Sequence, residues 1–577
     1  MMNIKKSFFN KAYWPIAYLC CFLLFFGLNC DQKGDLPVKT TVAPTALKAS
    51  ENDGQNNDTL IREFLAEPKN LNPVLTDDSS FLHVRRLIFD PLIDIDGGPE
   101  SKLIGRLAEK WSVSDDKLKI TFFLRPDITW HDGAPFTAED VKFTFETTKD
   151  KNIPSPALAS IIDTIAHIEV TAPLTVTFTF KYPFSPGLVR VGNVFIIPKH
   201  RLDTNGLKRE GEENREKKIV TFLTSDFNRK PIGTGSYIVQ EWRSAEYIKL
   251  VANKDYWDKQ NLPDIKNVII KIIPNRTAAF NMLQKGELDM FRARSLQYMH
   301  FRRLKNLHEK FKVVKFYRPE YYYIAWNLRP EAKFFTDIRV RKAMTHALDR
   351  NLFVESSKFG LGKVITGPFY FESWAYNHKV EPFSYDFDKA AELLQDAGWV
   401  DSDQDGVLAY KKLPFKFELL ISSGAPTWVE LASIIQSNLK KLSIDVVVKI
   451  VDYSQYLTRI QKGEFDAYVG GWPVGIDPDP YAIWHSSQVG IGHNNVGYNN
   501  KTVDKLLEAG RQEFDQKKRQ KIYWKIHQLI HDDQPYTFIY CPMDKYIYSS
   551  RIKNIHISPF GIIEFFPGQL SWTLQGQ

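Results

Sequence analysis

Two aspartates and two tryptophans stand close together in the segment 470–487 as Trp472, Asp477, Asp479 and Trp484. An aspartate carboxylate near an amine forms a charge-assisted hydrogen bond with it. These four residues are therefore candidates for a ligand-binding site. The alternatives are that the two Asp-Pro pairs only stiffen a loop and that Trp472 belongs to the core.

No hydrolase pattern accompanies these side chains. The sequence has no Gly-x-Ser-x-Gly elbow and no His-Glu-x-x-His pair. His131 and Asp132 are neighbours in a loop, and neighbours in sequence rarely face one point, so we predict a turn there. Gly233 and Gly235 lack the Gly-Lys-Ser/Thr of a phosphate-binding loop, and we interpret them as turn residues. The sequence therefore does not predict an enzyme.

Two groups of residues invite a metal hypothesis. Asp401, Asp403 and Asp405 resemble the first half of a calcium loop, but Lys412 occupies the twelfth position, where a glutamate belongs. We interpret this segment as a plain β-turn. The second group, which suggests a metal or haem site, consists of His485, His493 and Asn494. Its spacing matches no usual metal pattern. We therefore predict no metal and no cofactor.

Composition is that of an ordinary globular protein. The 577 residues are 43% hydrophobic and 14% aromatic, enough for two or three domains with more than one core. The formal net charge of +8 is spread along the chain. We interpret the basic clusters Arg302-Arg303 and Lys517-Lys518-Arg519 as solvated helix faces. No basic stripe indicates a nucleic-acid partner.

The amino terminus predicts export. Lys5, Lys6 and Lys11 precede an apolar run over 14–28, which is the layout of a signal peptide rather than of a spanning anchor. We predict a signal peptide at residues 1–30 and a periplasmic location.

A lipid anchor is predicted at the end of that run. Gly27-Leu-Asn-Cys30 resembles a loosened lipobox in which Asn29 replaces a small residue, and ordinary cleavage or an uncleaved anchor are the alternatives. Residues 31–58 are polar and predict a disordered tether. Cys541, in the mature body, is interpreted as a small buried hydrophobe.

The body alternates strand and helix patterns. Residues 268–273 form a β-branched run, and Ile338, Val340 and Met344 fall on one side of a predicted helix. Residues 413–534 alternate in the same way, with a helix predicted over 427–442. The fold class is therefore α/β.

Several spaced motifs carry a family resemblance. Segment 107–143 contains Leu-Ala-Glu-Lys-Trp and Trp-His-Asp-Gly-Ala-Pro-Phe-Thr-Ala-Glu-Asp, and segment 231–239 contains Gly-Thr-Gly-Ser-Tyr, with Ser236 where proline is usual. Segment 337–349 reads D-x-R-V-R-x-A-x-x-x-A-x-D. In this order the motifs resemble those of family 5 extracellular solute-binding proteins, from about residue 60 to residue 570.

The resemblance implies a two-lobed periplasmic-binding-protein fold of type II with an extra domain on the first lobe. The expected boundaries are 59–95, 225–315 and 535–577 for the lobe 1 core, 96–224 for the extra domain and 316–534 for lobe 2.

The resemblance also implies a function. We expect a monomeric solute-binding lipoprotein that captures peptides, above all oligopeptides, and delivers them to the permease and ATPase subunits of an ABC importer. The alternatives are a non-peptide solute, such as a metal chelate, haem or an oligosaccharide, and an adhesion or chaperone role at the surface.

The resemblance places seven residues at the cleft between the lobes, namely Trp472, Asp477, Asp479, Trp484, Tyr323, Trp326 and Asn327. In peptide-binding relatives an aspartate three residues after the equivalent tryptophan pairs with the ligand's α-ammonium group. That position is Gly475 here. We therefore expect Asp477 or Asp479 to act in its place.

Overall fold

The computed structural model describes residues 58–76, 79–150, 152–155, 158–203, 219 and 221–575. The predicted signal peptide, Cys30 and residues 31–57 of the predicted tether lie outside these ranges. Within the described ranges, no helix has the length and apolar character that a membrane crossing needs.

One large mixed sheet runs through the body, and in the described residues it has twelve strands. Its main path, in spatial order, is Asp445–Val451, Lys416–Ser422, Ala467–Pro473, Glu320–Trp326, Tyr536–Ser549, Met290–Arg292, Thr59–Phe64, Asn267–Ile272, Tyr247–Ala252 and Tyr237–Arg243. Two further strands that pair with Tyr536–Ser549 are Phe311–Tyr317 and Gly362–Lys363.

The long strand Tyr536–Ser549 joins the two halves of this sheet. Its first residues pair antiparallel with Glu320–Trp326, and its last residues pair antiparallel with Phe311–Tyr317. We call the half that contains Phe311–Tyr317 the first lobe and the half that contains Glu320–Trp326 the second lobe.

Two prolines interrupt the backbone pairing where the chain crosses between the lobes. Arg318 and Pro319 separate the two strands named above, and Pro542 lies within the long strand. Arg318 donates its backbone N–H to the carbonyl oxygen of Pro542 at 2.9 Å. Neither proline has an N–H to donate, so the ladder is weakest here and the crossing is the natural place for the sheet to bend.

The first lobe buries aliphatic side chains of its strands in one core. Leu60 and Phe64 point inward from Thr59–Phe64, which pairs parallel with Asn267–Ile272. Its α-helices and 3-10 helices are Ser79–Ile88, Asp226–Asn228, Lys259–Asn261, Arg276–Gln284, Ser295–Arg303, Lys305–Leu307 and Gly568–Ser571. A small pair of strands at its C-terminal end is formed by Ile552–Lys553 and Thr573–Leu574.

A separate antiparallel sheet has the strand order Ala108–Val113, Lys119–Leu124, Thr175–Phe180 and Ile165–Ala172. Helix Ala138–Thr147 begins at a capping box of Thr137 and Asp140 and packs Phe145 against Phe178. This unit has its own buried cluster, and we call it the extra domain. Its remaining elements are Ile93–Ile95, Leu103–Gly105, Ala159–Ile162, Gly187–Gly192 and Lys199–Leu202.

The second lobe is built around two parallel strands, Lys416–Ser422 and Asp445–Val451, connected by helix Pro426–Lys440. Parallel strands need such a crossover connection. The helix predicted over 427–442 agrees with the observed helix within two residues at each end. Its other elements are Ile338–His346, Arg350–Lys358, Phe387–Asp396, Ala409–Tyr410, Leu413–Pro414, Tyr453–Lys462, Tyr481–Trp484, Ser486–Gln488, Lys501–Gln512 and Gln516–Asp533. The predicted α/β fold class is confirmed. The predicted residue boundaries of the lobes and the extra domain stay predictions.

We expect acid to destabilise the second lobe through His527. Its ring accepts the backbone N–H of Asn377 at 3.1 Å and lies 3.0 Å from the hydroxyl of Thr366. Burial, helped by the neighbouring His531, lowers the pKa of His527 from 6.5 to about 3. Because the unfolded chain binds this proton below pH 6.5 and the folded chain does not, the free energy of unfolding falls by about 2 kcal/mol from this group at pH 5.

Thermal denaturation at pH 7 and pH 5 tests this expectation. The pH slope of the melting temperature should be smaller in His527→Gln than in the native chain, and unchanged in His167→Gln, because His167 is exposed. Equal slopes in all three proteins would contradict a neutral, buried His527.

Candidate functional site

A cavity of about 810 Å³ lies between the first lobe, the extra domain and the second lobe. Helix Ser79–Ile88 and residues 560–564 form its first wall, residues 189–195 its second wall and residues 473–479 its third wall. The crossing contributes residues 318–320. Its volume lies in the range of about 300–1,000 Å³ that is usual for sites of small ligands.

Glu564 lies between two arginines of the first wall. Its Oε2 accepts hydrogen bonds from Arg85 at 2.9 Å and from Arg86 at 3.3 Å. Burial alone would raise the pKa of Glu564, but the two guanidinium groups outweigh it and hold the pKa at about 2. Both guanidinium groups also lie over the ring of Phe195, at 5.1 and 5.8 Å from its centroid. This cluster keeps Glu564 ionised and in place.

Two further ion pairs lie at the crossing between the lobes. Arg318 donates to Glu320 at 2.5 Å, and Arg292 donates to both carboxylate oxygens of Asp544 at 2.8 and 3.0 Å. Burial acts to raise the pKa of Asp544, but Arg292 and Arg318 outweigh it and keep the pKa below its ordinary value. Each carboxylate at the crossing is therefore ionised or closely paired with an arginine.

Asp477, on the third wall, is held by Arg519. Its two carboxylate oxygens accept hydrogen bonds from Nη1 at 2.6 Å and Nη2 at 2.8 Å, and each side chain is only 7% exposed. The guanidinium also donates to Oη of Tyr523 at 2.6 Å. The predicted solvated face for Arg519 is therefore wrong, because a carboxylate distant in sequence compensates its charge and allows burial.

Asp479, also on the third wall, is bound by arginines from two parts of the molecule. Its carboxylate accepts from Arg511 of the second lobe at 2.8 Å and from Arg190 of the extra domain at 3.2 Å. Its side chain has no exposed surface. Burial acts to raise the pKa of Asp479, but the arginines hold it below its ordinary value. The predicted bond of Asp477 or Asp479 to a ligand amine stays a prediction, and these arginines compete with it.

Three residues that line the described cavity each have an enclosed side-chain nitrogen atom without a hydrogen-bond partner. The atoms are Nδ1 of His83, Nε of Arg85 and Nε of Arg318. An arginine Nε carries a hydrogen and can only donate. Burial lowers the pKa of His83 to about 3, with Arg62 adding to the effect, so its ring is neutral. Sequence analysis missed these residues, and the Arg85-Arg86 pair in a short amphipathic helix was the one signal available for the first wall.

Comparison with known proteins decides the family. The sequence model for bacterial extracellular solute-binding proteins, family 5 Middle, matches residues 102–493. The oligopeptide-binding protein AppA of Bacillus subtilis is 32% identical over 528 residues, which cover 89% of this chain and 92% of AppA. The chain belongs to the family 5 solute-binding proteins.

Solved structures of relatives show the same fold as this family 5 protein. AppA of B. subtilis in complex with a nonapeptide aligns with a TM-score of 0.74 at 30% identity, covering 90% of this chain and 99% of that chain. NikZ from Campylobacter jejuni in complex with Ni(L-His) aligns with a TM-score of 0.75 at 27% identity, again over 90% and 99%. The predicted two-lobed fold of type II with an extra domain is therefore confirmed.

Three predicted site residues of this family 5 protein lie in the core of the second lobe. Tyr323, Trp326 and Trp484 are 2%, 0% and 0% exposed, and none of them lines the described cavity. Tyr323 stacks on Tyr536 with ring centroids 3.9 Å apart, and Trp326 donates its Nε1–H to Thr537 at 3.1 Å. Their role in binding stays a prediction, and in this conformation they could affect a ligand only through the residues packed on them.

Trp472 and Asn327 lie at the ends of their strands, Ala467–Pro473 and Glu320–Trp326. Trp472 is half-buried beside the third wall, with its ring 5.2 Å from that of His493. Asn327 is buried and donates its side-chain N–H to the carbonyl oxygen of Phe465 at 2.6 Å. Asn327 therefore fixes a loop, and the binding roles of both residues stay predictions.

The family 5 chain bends within residues 402–407, and the β-turn predicted at Asp401 stays a prediction. Oxygen atoms of Asp401, Asp403 and Asp405 lie within 4.8 Å of one another. Asp401 accepts the backbone N–H of Gly406 at 3.1 Å, and Asp405 accepts that of Val407 at 2.8 Å. Such side-chain to backbone bonds are typical of a turn.

The residues of the second predicted group also have structural partners in this family 5 protein. His485 contacts Ser487 at 2.7 Å and Glu508 at 3.3 Å. Asn494 is fully buried and binds backbone atoms of Tyr498. These contacts fix the positions of both side chains, and the predicted absence of a metal or haem there stays a prediction.

Gly233 and Gly235 support the helix of the first wall. A Cβ atom on Gly233 would lie 1.7 Å from the carbonyl oxygen of Ile88, and one on Gly235 would lie 2.4 Å from the carbonyl carbon of Ile88. The ring of His131 accepts the N–H of Gly233 at 3.1 Å and donates to the oxygen of Gly235 at 2.9 Å. Close approach to helix Ser79–Ile88, beyond the predicted turn, therefore requires glycine here.

Proposed function

We propose that this protein captures peptides, oligopeptides above all, in the cavity between its lobes and delivers them to the permease and ATPase subunits of an ABC importer. The observation that carries the proposal is an 810 Å³ cavity whose walls come from both lobes and the extra domain. The likeness to oligopeptide-binding AppA, at 32% identity, supports peptides as the solute.

This cavity best supports reversible binding of a solute without any covalent reaction. An extended peptide can be held through its own backbone while its side chains occupy roomy, hydrated pockets, which gives affinity with tolerance of sequence. We propose that the protein acts as a monomer and is not an enzyme.

We propose that the lobes close on the solute as a clamp. Arg190 of the extra domain pairs with Asp479 of the second lobe, and Ser185 donates its backbone N–H to the carbonyl oxygen of Arg511 at 2.7 Å. These contacts join parts of the molecule that would separate if the sheet bent at the crossing. They favour the closed state before any ligand contact is counted.

Replacing Arg190 with Gln should lower the binding affinity for every solute by the same factor. The variant loses one arm of a partly exposed ion pair, which is worth about 1 kcal/mol, so the closed population and the apparent affinity should fall about fivefold. Asp479 keeps Arg511, so the fold should persist. Calorimetric titration with several unrelated peptides measures the effect.

The matched control is Lys142→Gln, which should leave affinity unchanged. Lys142 also lies in the extra domain, where it pairs with Glu146 rather than with a residue of the second lobe. A loss that differs strongly from peptide to peptide would show that Arg190 contacts the solute instead of the opposite lobe.

Thermal shift measurements test the proposed solute. A tryptic digest of casein should raise the melting temperature, because a ligand at 100 times its Kd adds about 2.7 kcal/mol of stability. Maltopentaose and nickel-histidine should produce no shift. A shift with either of these and none with the digest would overturn the peptide proposal. Loss of peptide uptake in a deletion strain would separate transport from an adhesion role.

A metal chelate is the second candidate solute. It is favoured by the alignment with NikZ, whose complex contains Ni(L-His), at 27% identity. Peptides rank first because AppA shares more of the sequence.

We also propose that a lipid on Cys30 anchors the exported protein to a membrane. The support is the sequence at 27–30, which resembles a lipobox after an apolar signal segment. Cells fed an alkyne fatty acid should label the native chain and not Cys30→Ser, while Cys541→Ser should label normally. Labelling of Cys30→Ser would place the lipid elsewhere.

A further inference from the structure

The carboxylates that line the described cavity differ in how much of their surface is open. Their side chains are 30% exposed in Glu564, 17% in Glu320, 15% in Asp544, 7% in Asp477 and 0% in Asp479. A ligand in the cavity therefore reaches Glu564 more readily than it reaches the other four.

The oxygen atoms of these carboxylates also differ in how far they are already occupied. Both oxygens accept hydrogen bonds from an arginine in Asp477, Asp479 and Asp544. Glu320 accepts from Arg318 at 2.5 Å and also interacts with the hydroxyl of Tyr322. These four carboxylates have their charge satisfied within the protein.

Glu564 keeps one oxygen free. Its Oε2 accepts from both Arg85, at 2.9 Å, and Arg86, at 3.3 Å, while no described residue donates to its Oε1. An ionised carboxylate accepts hydrogen bonds at both oxygens. Oε1 of Glu564 is therefore available to a donor that the solute brings.

The charges around Glu564 permit that donor to be a cation. Arg86 also pairs with Asp94, so the two arginines and the two carboxylates of this cluster carry no net charge. Burial acts to raise the pKa of Glu564, but the arginines outweigh it and hold the pKa at about 2. The carboxylate is thus ionised wherever an amine is protonated, and the bond between them is charge-assisted.

We infer that Oε1 of Glu564, on the first lobe, binds a protonated amine of the solute, the role that the sequence suggested for Asp477 or Asp479. This inference rests on the proposed function and narrows it to peptides recognised through an ammonium group. Asp477 would have to share or leave the buried guanidinium of Arg519 to take that group, whereas Glu564 keeps both of its arginines.

Two pairs of peptide pools test whether an amine is needed and which amine it is. Trypsin cuts lysine-acetylated casein only after arginine, so its peptides carry a free α-amine but no free lysine amine. One half of this digest is acetylated again, and an ordinary tryptic casein digest is halved and treated in the same way. Each pool is incubated with the purified exported chain, and retained peptides are counted by mass spectrometry after gel filtration.

In both pairs the free pool should be retained about tenfold better than its acetylated half, because only the free amine offers a charge-assisted hydrogen bond. A preference confined to the ordinary digest would identify a lysine side chain of the solute as the donor and keep Glu564 as the acceptor. Equal retention within both pairs would overturn the inference and leave peptide binding intact. Retention of no pool would overturn peptide binding, and the inference with it.

Glu564→Gln locates the recognition. The amide oxygen of glutamine still accepts from an arginine, but without the charge the ratio of free to acetylated retention should fall from about tenfold to about twofold. A purely structural role would lower the retention of both pools and leave the ratio unchanged. Glu418→Gln is the matched control, because Glu418 also pairs with an arginine, Arg459 at 2.7 Å, and is 29% exposed, but does not line the described cavity. Its ratio should stay at about tenfold.

Glu564→Asp covers the case in which the glutamine variant does not fold. Aspartate keeps the negative charge beside Arg85 and Arg86 but withdraws the carboxylate by one methylene group, so the ratio should fall to about threefold. A ratio that stays at about tenfold in the folded Glu564 variants, or that falls in Asp477→Asn instead, would overturn the assignment to Glu564.

Discussion

Asp477→Asn should lower the free energy of unfolding by about 3–5 kcal/mol, because it leaves the buried guanidinium of Arg519 without its carboxylate. Both side chains are 7% exposed, so little solvent screens the lost interaction. Burial acts to lower the pKa of Arg519, but Asp477 outweighs it and keeps the guanidinium firmly protonated. The variant therefore cannot escape the cost by losing a proton. Differential scanning calorimetry should show a lower melting temperature in the absence of any ligand.

Two comparisons identify the cause of that loss. Asp403→Asn removes an exposed carboxylate and should melt like the native chain. The double variant Asp477→Asn with Arg519→Gln should be less destabilised than the sum of its single variants, because the two residues interact directly. An Asp477→Asn protein with native stability and lost peptide affinity would instead identify Asp477 as the group that binds the ligand amine.

Gly233→Ala should destabilise the first lobe by about 3 kcal/mol and also weaken binding, because a misplaced methyl group forces packed backbone apart. Its Cβ would lie 1.7 Å from the carbonyl oxygen of Ile88, an atom of backbone that cannot rotate away. Ile88 ends the helix that presents Arg85 and Arg86 to the cavity. A shift of this helix therefore moves the first wall.

Gly424→Ala is the matched control for this effect. Its Cβ would meet only Oγ of Ser422, at 3.9 Å, so it should be neutral or slightly stabilising. Melting temperature and peptide affinity should both fall in Gly233→Ala. Neither quantity should fall in Gly424→Ala. Native behaviour of Gly233→Ala would show that the helix and the 233–235 segment are not packed as described.

Local structure was predictable because local residues determine it. The capping box at Thr137 and Asp140 and the strand Lys119–Leu124 depend on neighbours in sequence. The helix Pro426–Lys440 between two parallel strands follows from periodicity.

Partners distant in sequence were not predictable in the same way. Arg519 pairs with a carboxylate 42 residues away, and Arg190 pairs with one 289 residues away. No periodicity shows which basic residue of a helix turns inward, because the compensating charge comes from another element. The length of strand Tyr536–Ser549 also depends on distant partners, since its two halves pair with different lobes.

The most direct test of the central claim is native mass spectrometry of the protein purified gently from its host. A peptide held between two lobes should co-purify, and the account predicts a mixed population of bound peptides released on denaturation. A single non-peptide compound in place of the peptides would contradict it.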